Sequence, residues 1–575
     1  MTDMGTFRTT ISIENPLRAC VVALLAASAA PVALRAQQGV PADLPARIDR
    51  VFAQFTHATP GCGVGLARDG RTLYIHGYGM ANLEYGVPNT DSTVFESGSV
   101  AKQFTASAIM MLVSDGKLRL DDDIRTYLPE VPEFGGQKIT IRNLLTHTSG
   151  LRDQWGLLGI EGRGPGTQVH SPMTTLDLVA HQRMLNFPPG SAYLYSNTGY
   201  ALAGIIVQRV SGKTLHEFSQ ERLFRPLGMT HTQLRDDYTR IVPNRATAYA
   251  GSAAGGFHQD MPFTNMVGNG GVLSTMSDLL RWNENLDHPV VGGPAYVQAM
   301  ETPMRLTSGR AITYALGLTV APYAGIREVG HSGSTAGYSS YMARYPEQHV
   351  AVVVWCNGAG INATALAHQV ADLVLSKPPA AANGASDTPV DGPPPASEVA
   401  RWAGTYRDAH TDQVLSLTAS NAVLTLALGR GAGGRGAGAP LAAKGAARFR
   451  GPVGDLEFGG QPGHRTALLI RAGDDTTRYE EVRPIPAAIP LLDYAGSYAS
   501  DELEARYTIV SRDGKLFLTR RPYEEFELRP VYADDFQAGG GLGTLRFARD
   551  ARNVVTGFSF YAGRVLDVRF TRVAR

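Results

Sequence analysis

The sequence predicts an α/β (α+β) architecture in which helices pack on a sheet through the first half of the chain and two similar antiparallel β-barrels follow. Three observations carry this. Strand-like runs such as Cys62 to Ala67 and Arg71 to Gly77 are mixed with helix-like stretches such as Ala42 to Phe55. Beyond a Pro- and Ala-rich stretch, Lys377 to Ser397, the pattern changes to short alternating runs separated by turns. Within that second region Ala403-Gly404-Thr405-Tyr406 recurs as Ala495-Gly496-Ser497-Tyr498, an offset of 92 residues.

At 575 residues the chain exceeds what one core closes, since domains commonly run to about 250 residues. The N-terminal run ACVVALLAASAAPVAL, Ala19 to Leu34, follows Arg8 and Arg18 and precedes Leu34-Arg35-Ala36. It reads as a secretory leader over 1–36, shorter and richer in alanine than a spanning helix. The expected mature protein is periplasmic or secreted, without stable membrane insertion. A large unit over 37–376 follows. In it Phe104, Ala108 and Leu112 lie four apart, predicting a helix from Ser99 to Ser114 that ends at Asp115-Gly116. The apolar strand Val350 to Trp355 and a helix from Ala363 to Leu375 close the unit. A linker over 377–397 leads to one barrel at 398–487 and a second at 488–575.

In the repeat, Leu424 and Leu426 match Leu516 and Leu518 at the same offset, and Asp455-Leu456-Glu457-Phe458 is echoed by Thr544-Leu545-Arg546-Phe547. The segment GRGAGGRGAGAP, from Gly429, contains a formal Gly-x-Gly-x-x-Gly at Gly431, Gly433 and Gly436. It lacks the strand-helix-strand setting of a dinucleotide site and reads as a hairpin loop.

Charge is balanced, with 53 Lys and Arg against 52 Asp and Glu, so a nucleic-acid groove is unsupported. No His-Glu-x-x-His or Cys/His ligand spacing occurs, and neither metal nor cofactor is expected. Apart from Cys20 in the leader, the cysteines are Cys62 and Cys356, each in a strand-like run. They are either paired, as an exporting route permits, or two buried thiols.

Chemistry enters with Ser99-Val100-Ala101-Lys102. A serine hydroxyl is a weak nucleophile until a base is held beside it, and a spacing of three on a helix does this. Lys102 must be neutral part of the time, which burial promotes. Ser114-Asp115-Gly116-Lys117 has the same spelling but lies across a helix-ending turn, where the side chains need not meet. Tyr195-Ser196-Asn197 follows Pro188-Pro189-Gly190 in a loop, where a phenol relays a proton and an amide holds substrate. His331-Ser332-Gly333-Ser334 precedes the strand-like run Tyr338 to Tyr345, and Gly333 leaves room for a substrate backbone at the strand edge.

In combination these motifs resemble the serine β-lactamase, penicillin-binding protein and D-aminopeptidase superfamily, whose signature is Ser-x-x-Lys, Tyr-x-Asn and Lys/His-x-Gly in that order. The phrases FESGSVAKQFTA (Phe95 to Ala106), LLTHTSGL (Leu144 to Leu151), FPPGSAYLYSNTGY (Phe187 to Tyr200) and GNGGVLSTMSDLLRW (Gly268 to Trp282) extend the resemblance over about 42–375. It implies a catalytic set of Ser99 as acylated nucleophile, Lys102 as general base, Tyr195 as proton relay to the leaving group, and His331. Asn197, Gly333 and Ser334 are the implied substrate-binding residues. The backbone N–H groups of Ser99 and Ser334 would form an oxyanion hole, where one donor is commonly worth ~3 kcal/mol.

The resemblance also implies a five-stranded antiparallel sheet flanked by helices, and a helical subdomain carrying Tyr195. Because it makes the first and last strands neighbours, it favours pairing of Cys62 with Cys356. Where potent β-lactamases of the superfamily place a carboxylate-binding lysine, this chain has His331, mostly neutral at pH 7. Together with the two barrels, this gives the order of expected activities. An exported D-amino-acid peptidase or amidase comes first, then an esterase, then a weak β-lactamase, acting on small peptides, amides or esters. A binding or sensor module acylated at Ser99 without turnover is the non-enzymatic alternative. A different class, the Gly-x-Ser-x-Gly elbow of α/β-hydrolases, is approached by Gly330-His331-Ser332-Gly333-Ser334. It lacks the last glycine, and a strand follows where a helix is required.

Overall fold

A run of β-branched residues with every side chain covered can only be a central strand, and Val350–Cys356 (β6) is fully buried along its length. It pairs antiparallel with Cys62–Arg68 (β1) on one side and Tyr338–Tyr345 (β5) on the other. With Arg71–Tyr78 (β2), Thr319–Tyr323 (β3) and Ile326–Thr335 (β4), these make a six-stranded sheet in the order β3-β4-β5-β6-β1-β2. The expected five strands become six because β3 folds back on β4 as an added edge hairpin. In this computed structural model the described residues are 41–378, 395–408, 413–428, 438–451, 454–470, 476–520 and 524–573. The expected leader, most of the linker and most of the Gly-rich segment lie outside them.

Alternation along β6 sends its side chains into two cores. Val350, Val352, Val354 and Cys356 pack with helices Leu44–Phe52 (α1) and, at the far end of the unit, Ala363–Asp372. Ala351, Val353 and Trp355 face the other way, toward helices Lys102–Ser114 (α2) and Met276–Asp287. Cys62 and Cys356 are directly opposite in the β1–β6 register and are joined by a disulfide. Helices Gln154–Glu161 (α3), Pro172–His181 and Asn197–Ser211 (α4) belong to the helical part beside the sheet. Among the described residues no helix is long and apolar enough to cross a membrane.

Two closed, eight-stranded antiparallel barrels follow, running from Gly404–Asp408 to Thr476–Glu481 and from Gly496–Ser500 to Val565–Val573. The sequence repeat is a repeat of contacts. Tyr406 Oη donates to the carbonyl of Trp402, and Tyr498 Oη donates to that of Tyr494, four residues back in each case. Trp402 meets Phe458 and Tyr494 meets Phe547, so the echoed Phe pair closes the same end of both barrels. Leu424, Leu426, Leu516 and Leu518 are all buried.

From Asp43 onward the described residues pack as one unit, and the second barrel is joined to the sheet-and-helix half through its core. Leu157, Leu158 and Ile160 of α3 are buried in the same cluster as the barrel's Tyr498, Tyr507 and Phe560. Tyr507 Oη and the Arg520 guanidinium donate to carbonyls at the end of α3. Helix α3 therefore plugs the barrel. Its preceding residues are consequently held where the barrel's last hairpin arrives.

Candidate active site

The Ser99 segment is set by backbone pairing before any side chain is considered. Phe95–Glu96 pairs with Val272–Ser274, and Ser97 N–H donates to the Val272 carbonyl at 2.8 Å. Gly98 then takes φ +50°, with the position a Cβ would occupy 2.5 Å from Ser334 N. Only glycine fits there, and the chain turns into a 3₁₀ turn over Gly98–Ala101 that runs into α2. The helix predicted from Ser99 thus starts as a tighter turn, and it stops at Ser114, before Asp115-Gly116, as expected. Ser114 Oγ donates to the Met110 carbonyl one turn back within that helix.

Lys102 is the first residue of α2 and is completely buried. Its Nζ lies 3.1 Å from Ser99 Oγ, 2.9 Å from Asn197 Oδ1 and 2.8 Å from the carbonyl of Asn269. Burial holds the amine well below the usual lysine range; Asp153 opposes this shift and Arg564 adds to it. A neutral amine has two hydrogens, and two of its three neighbours are pure acceptors. The lone pair is then left for the Ser99 hydroxyl, which is the arrangement a general base needs.

Tyr195 comes from the loop after Pro188-Pro189-Gly190. That loop is laid on the LLTHTSGL segment, with Gly190 N–H donating to Thr148 and Leu194 N–H to His147. Its phenol shares the cavity wall with Ser99, and burial raises its pKa above the ordinary tyrosine value, so it is held protonated. Lys102 Nζ is 4.9 Å from the ring centroid. Asn197 opens α4 and is used at both ends. Its Oδ1 accepts from Lys102, while its Nδ2 and backbone N–H donate to Asp153 Oδ2 at 2.9 and 2.7 Å. One Nδ2 hydrogen therefore remains for a substrate.

His331 sits on β4, buried, with Nδ1 2.5 Å from the Ser332 carbonyl and Nε2 2.8 Å from Tyr314 Oη. A carbonyl can only accept, so Nδ1 carries the proton and Nε2 accepts from the phenol. Burial is the main cause that lowers the imidazole from 6.5 to about 4, and the Lys102 amine adds to it when protonated. The ring is neutral at pH 7. Gly333 is needed for a different reason from the one expected: a Cβ there would lie 2.0 Å from Ser97 O and 2.9 Å from Ser99 N. The strand edge is approached by the protein's own nucleophile turn, which brings Ser334 N beside Ser99 N, the two donors expected to form an oxyanion hole.

These groups open on a cavity of about 790 Å³ lined by Ser99, Tyr195, Asn197, His331, Gly333 and Ser334. Lys102 lies behind Ser99. Four contributors were not anticipated. Asp153 fixes Asn197, and Tyr314 fixes His331. His147 accepts from Ser196 N–H at 3.1 Å and places its ring 4.0 Å from that of Tyr195. The fourth is Arg564, from the second barrel, whose guanidinium carbon lies 4.5 Å from the Tyr195 ring centroid. His147 was visible only as part of a matching phrase, and nothing near Arg564 in sequence marks it as a site residue.

Comparison with known proteins fits this geometry. Residues 48–375 match the Beta-lactamase family, more than half of the chain. A D-aminopeptidase of Cereibacter sphaeroides is 28% identical over 464 residues, covering 79% of this chain and 82% of that protein. A D-aminopeptidase of Brucella anthropi is 26% identical over 537 residues, covering 89% and 95%. The octameric penicillin-binding protein homologue from Pyrococcus abyssi shares the fold, with a TM-score of 0.52 at 23% identity over 84% of this chain and 99% of that one. On the matched residues, the chain belongs to the Beta-lactamase family.

Proposed function

We propose that this protein is a serine hydrolase that cleaves amide bonds of D-amino-acid peptides or small D-amino-acid amides through an acyl-enzyme on Ser99. The observation that carries the chemistry is the buried Lys102 amine 3.1 Å from Ser99 Oγ, with its other two neighbours both acceptors. The similarity of most of the chain to proteins named D-aminopeptidase supports the substrate class.

In this mechanism Lys102 Nζ takes the Ser99 proton as Oγ attacks the amide carbon. The oxyanion develops against the N–H groups of Ser99 and Ser334. The protonated Tyr195 phenol passes a proton to the leaving nitrogen and is reprotonated from Lys102. The C–N bond breaks, leaving an ester on Ser99 that water hydrolyses by the same groups in reverse. His331 is neutral and keeps Tyr314 in place. Export into a periplasmic or external compartment is part of the proposal and rests on the Ala19 to Leu34 run behind two arginines. Fractionation of expressing cells tests it.

The enzymatic test offers D-alanyl and L-alanyl p-nitroanilides, a p-nitrophenyl ester and a chromogenic cephalosporin to the wild type and to Ser99→Ala. The D-anilide is expected to turn over fastest, and Ser99→Ala to lose that activity. Preference for the ester or cephalosporin would replace the substrate class. A stable Ser99 adduct without turnover, read by intact mass after a fluorophosphonate or β-lactam, would favour the binding module.

A further inference from the structure

The last hairpin of the second barrel, the turn between Val555–Ala562 and Val565–Val573, is part of the catalytic cavity. It is held there by main-chain bonds. The Arg564 carbonyl accepts from Asp153 N–H at 3.3 Å and from Asn186 Nδ2 at 3.0 Å, while Leu566 N–H donates to Asn186 Oδ1 at 2.9 Å. Arg152, fully buried, adds bonds to the carbonyls of Leu566 and Asp567 at 2.9 and 2.8 Å. Gly156 of α3 packs so closely that a Cβ would lie 2.5 Å from Val565 Cγ2. The turn is thus fixed while the Arg564 side chain projects, exposed, over Tyr195.

Arg564 differs from the arginines around it. Arg520, Arg549 and Arg569 of the same barrel each have a carboxylate partner. Among the described residues Arg564 has none, and its side chain lies against the tyrosine ring. Among the described residues none of the nearby acids forms an ion pair with it. Glu96 is held by Arg235 and Arg245, Asp153 by Asn197 and the first turn of α3, and Asp260 is the remaining acid on the wall. His331, where a cation was expected to be lacking, is neutral. A guanidinium carried by a fixed turn beside the proton-relay tyrosine, with no carboxylate partner among the described residues, has the chemistry of a carboxylate fork.

We propose that Arg564 binds a carboxylate of the substrate, so that an anion-recognising subsite is supplied to the catalytic cavity by the second barrel. This makes the barrel a specificity element. It also supplies, from another domain, a positive charge that the neutral His331 does not carry. The inference deepens the proposed function and rests on Ser99 being the nucleophile of this cavity. The carboxylate comes either from the leaving residue, as a peptide C-terminus, or from the acyl side, as an acidic side chain.

The test uses the full chain and two matched pairs: N-acetyl-D-alanyl-D-alanine with its C-terminal amide, and D-aspartyl with D-asparaginyl p-nitroanilide. The readout is the ratio of kcat/KM for acid to neutral member in wild type, Arg564→Ala, Arg564→Lys and Arg564→Glu. We expect the ratio for one pair to fall about tenfold or more in Arg564→Ala, to recover partly in Arg564→Lys and to fall furthest in Arg564→Glu. The pair that responds identifies the side on which the carboxylate lies. Ratios unchanged within twofold in both pairs overturn the inference, as does an equal loss on acid and neutral members, which would make Arg564 a positioning residue for Tyr195. Competition by the acid and the amide of the dipeptide against fluorophosphonate labelling of Ser99 reads binding without turnover. If no amide is cleaved while that competition depends on Arg564, the proposed function fails and the subsite stands. If amides are cleaved normally and the competition does not depend on Arg564, the subsite fails and the proposed function stands.

Discussion

Arg152 and Glu502 form an ion pair at 2.6 Å that is buried on both sides and joins the catalytic half to the second barrel. Arg152 also donates to Gln182 Oε1 and to two barrel carbonyls, and Glu502 also accepts from Arg183 N–H. A buried pair of this kind is weak evidence for stability as a pair, because both charges are desolvated. Removing one partner is different, since the other charge is left uncompensated.

Arg152→Ala or Glu502→Ala is therefore expected to cost about 3 to 5 kcal/mol in urea unfolding. The double variant should cost less than the two single losses added together. Because the same arginine holds the hairpin carrying Arg564, both single variants should also lower kcat/KM. Hydrogen exchange at the end of α3 should rise with them. A loss under about 0.5 kcal/mol in each single variant would show that the barrel docks through α3 alone.

Much of this site was legible in the sequence because its chemistry is local. Ser99 and Lys102 are one helical turn apart, and that spacing suffices to bring hydroxyl and amine together once a helix is granted. Tyr195 and His331 were legible through their motifs, although their meeting depends on the sheet and the loop over His147. The barrels were readable from the 92-residue repeat, since each pattern of alternating leucines makes one closed sheet. Arg564 was not readable. Its position follows from α3 filling the barrel end, a contact between segments about 400 residues apart that no local pattern reports. The sixth strand was missed for a related reason: Thr319–Tyr323 is partly exposed and carries a proline, so it lacks the buried β-branched run that marks β6.

Lys102 should set the acid limb of the pH dependence of kcat/KM. Its amine acts when neutral, and burial places its pKa well below 10.5, so activity should rise with pH through that lowered value. Arg564 contributes to the lowering. Its replacement by Ala should therefore move the limb to higher pH, since removing a nearby positive charge favours the protonated amine. Lys102→Arg keeps a permanent charge and should lose at least about a thousandfold in kcat/KM at every pH tested. A pH profile unmoved by Arg564→Ala would remove that residue from the electrostatics of the amine.

Gly333→Ala tests the approach of β4 to the nucleophile turn. The added methyl would meet Ser97 O at 2.0 Å and Ser340 Oγ at 2.4 Å, and Ser340 itself donates to Ser97 O at 2.6 Å. Overpacking of this kind commonly costs about 1 to 3 kcal/mol. The strain falls between the Ser99 and Ser334 N–H groups, so catalysis should suffer more than stability. A lowered melting temperature with kcat reduced about a hundredfold is the expected result, measured by thermal unfolding and steady-state kinetics. Unchanged kcat would mean that those two donors do not act together on the oxyanion.

Acid sensitivity should begin above the range in which carboxylates usually titrate. His331 is held at about 4 and His147 well below 6.5, chiefly by burial, so the folded protein keeps both rings neutral as pH falls. The unfolded chain protonates them from about 6.5 downward and so binds more protons. Stability must then fall as pH drops from about 6.5 toward 4, by about 1.4 kcal/mol per pH unit for each histidine. His331→Gln keeps a side chain able to accept from Tyr314 but removes one titrating ring. Between about pH 6.5 and 4.5 its stability should decline less steeply than that of the wild type by one histidine's share, whatever its absolute stability at neutral pH. Carboxylates such as Asp115 and Asp121, held below 3.8 by their arginine partners, add their own loss only at lower pH. Equal slopes for wild type and variant in that window would show that the His331 ring takes up its proton in the folded state, and the neutral imidazole assigned to the site would have to be abandoned.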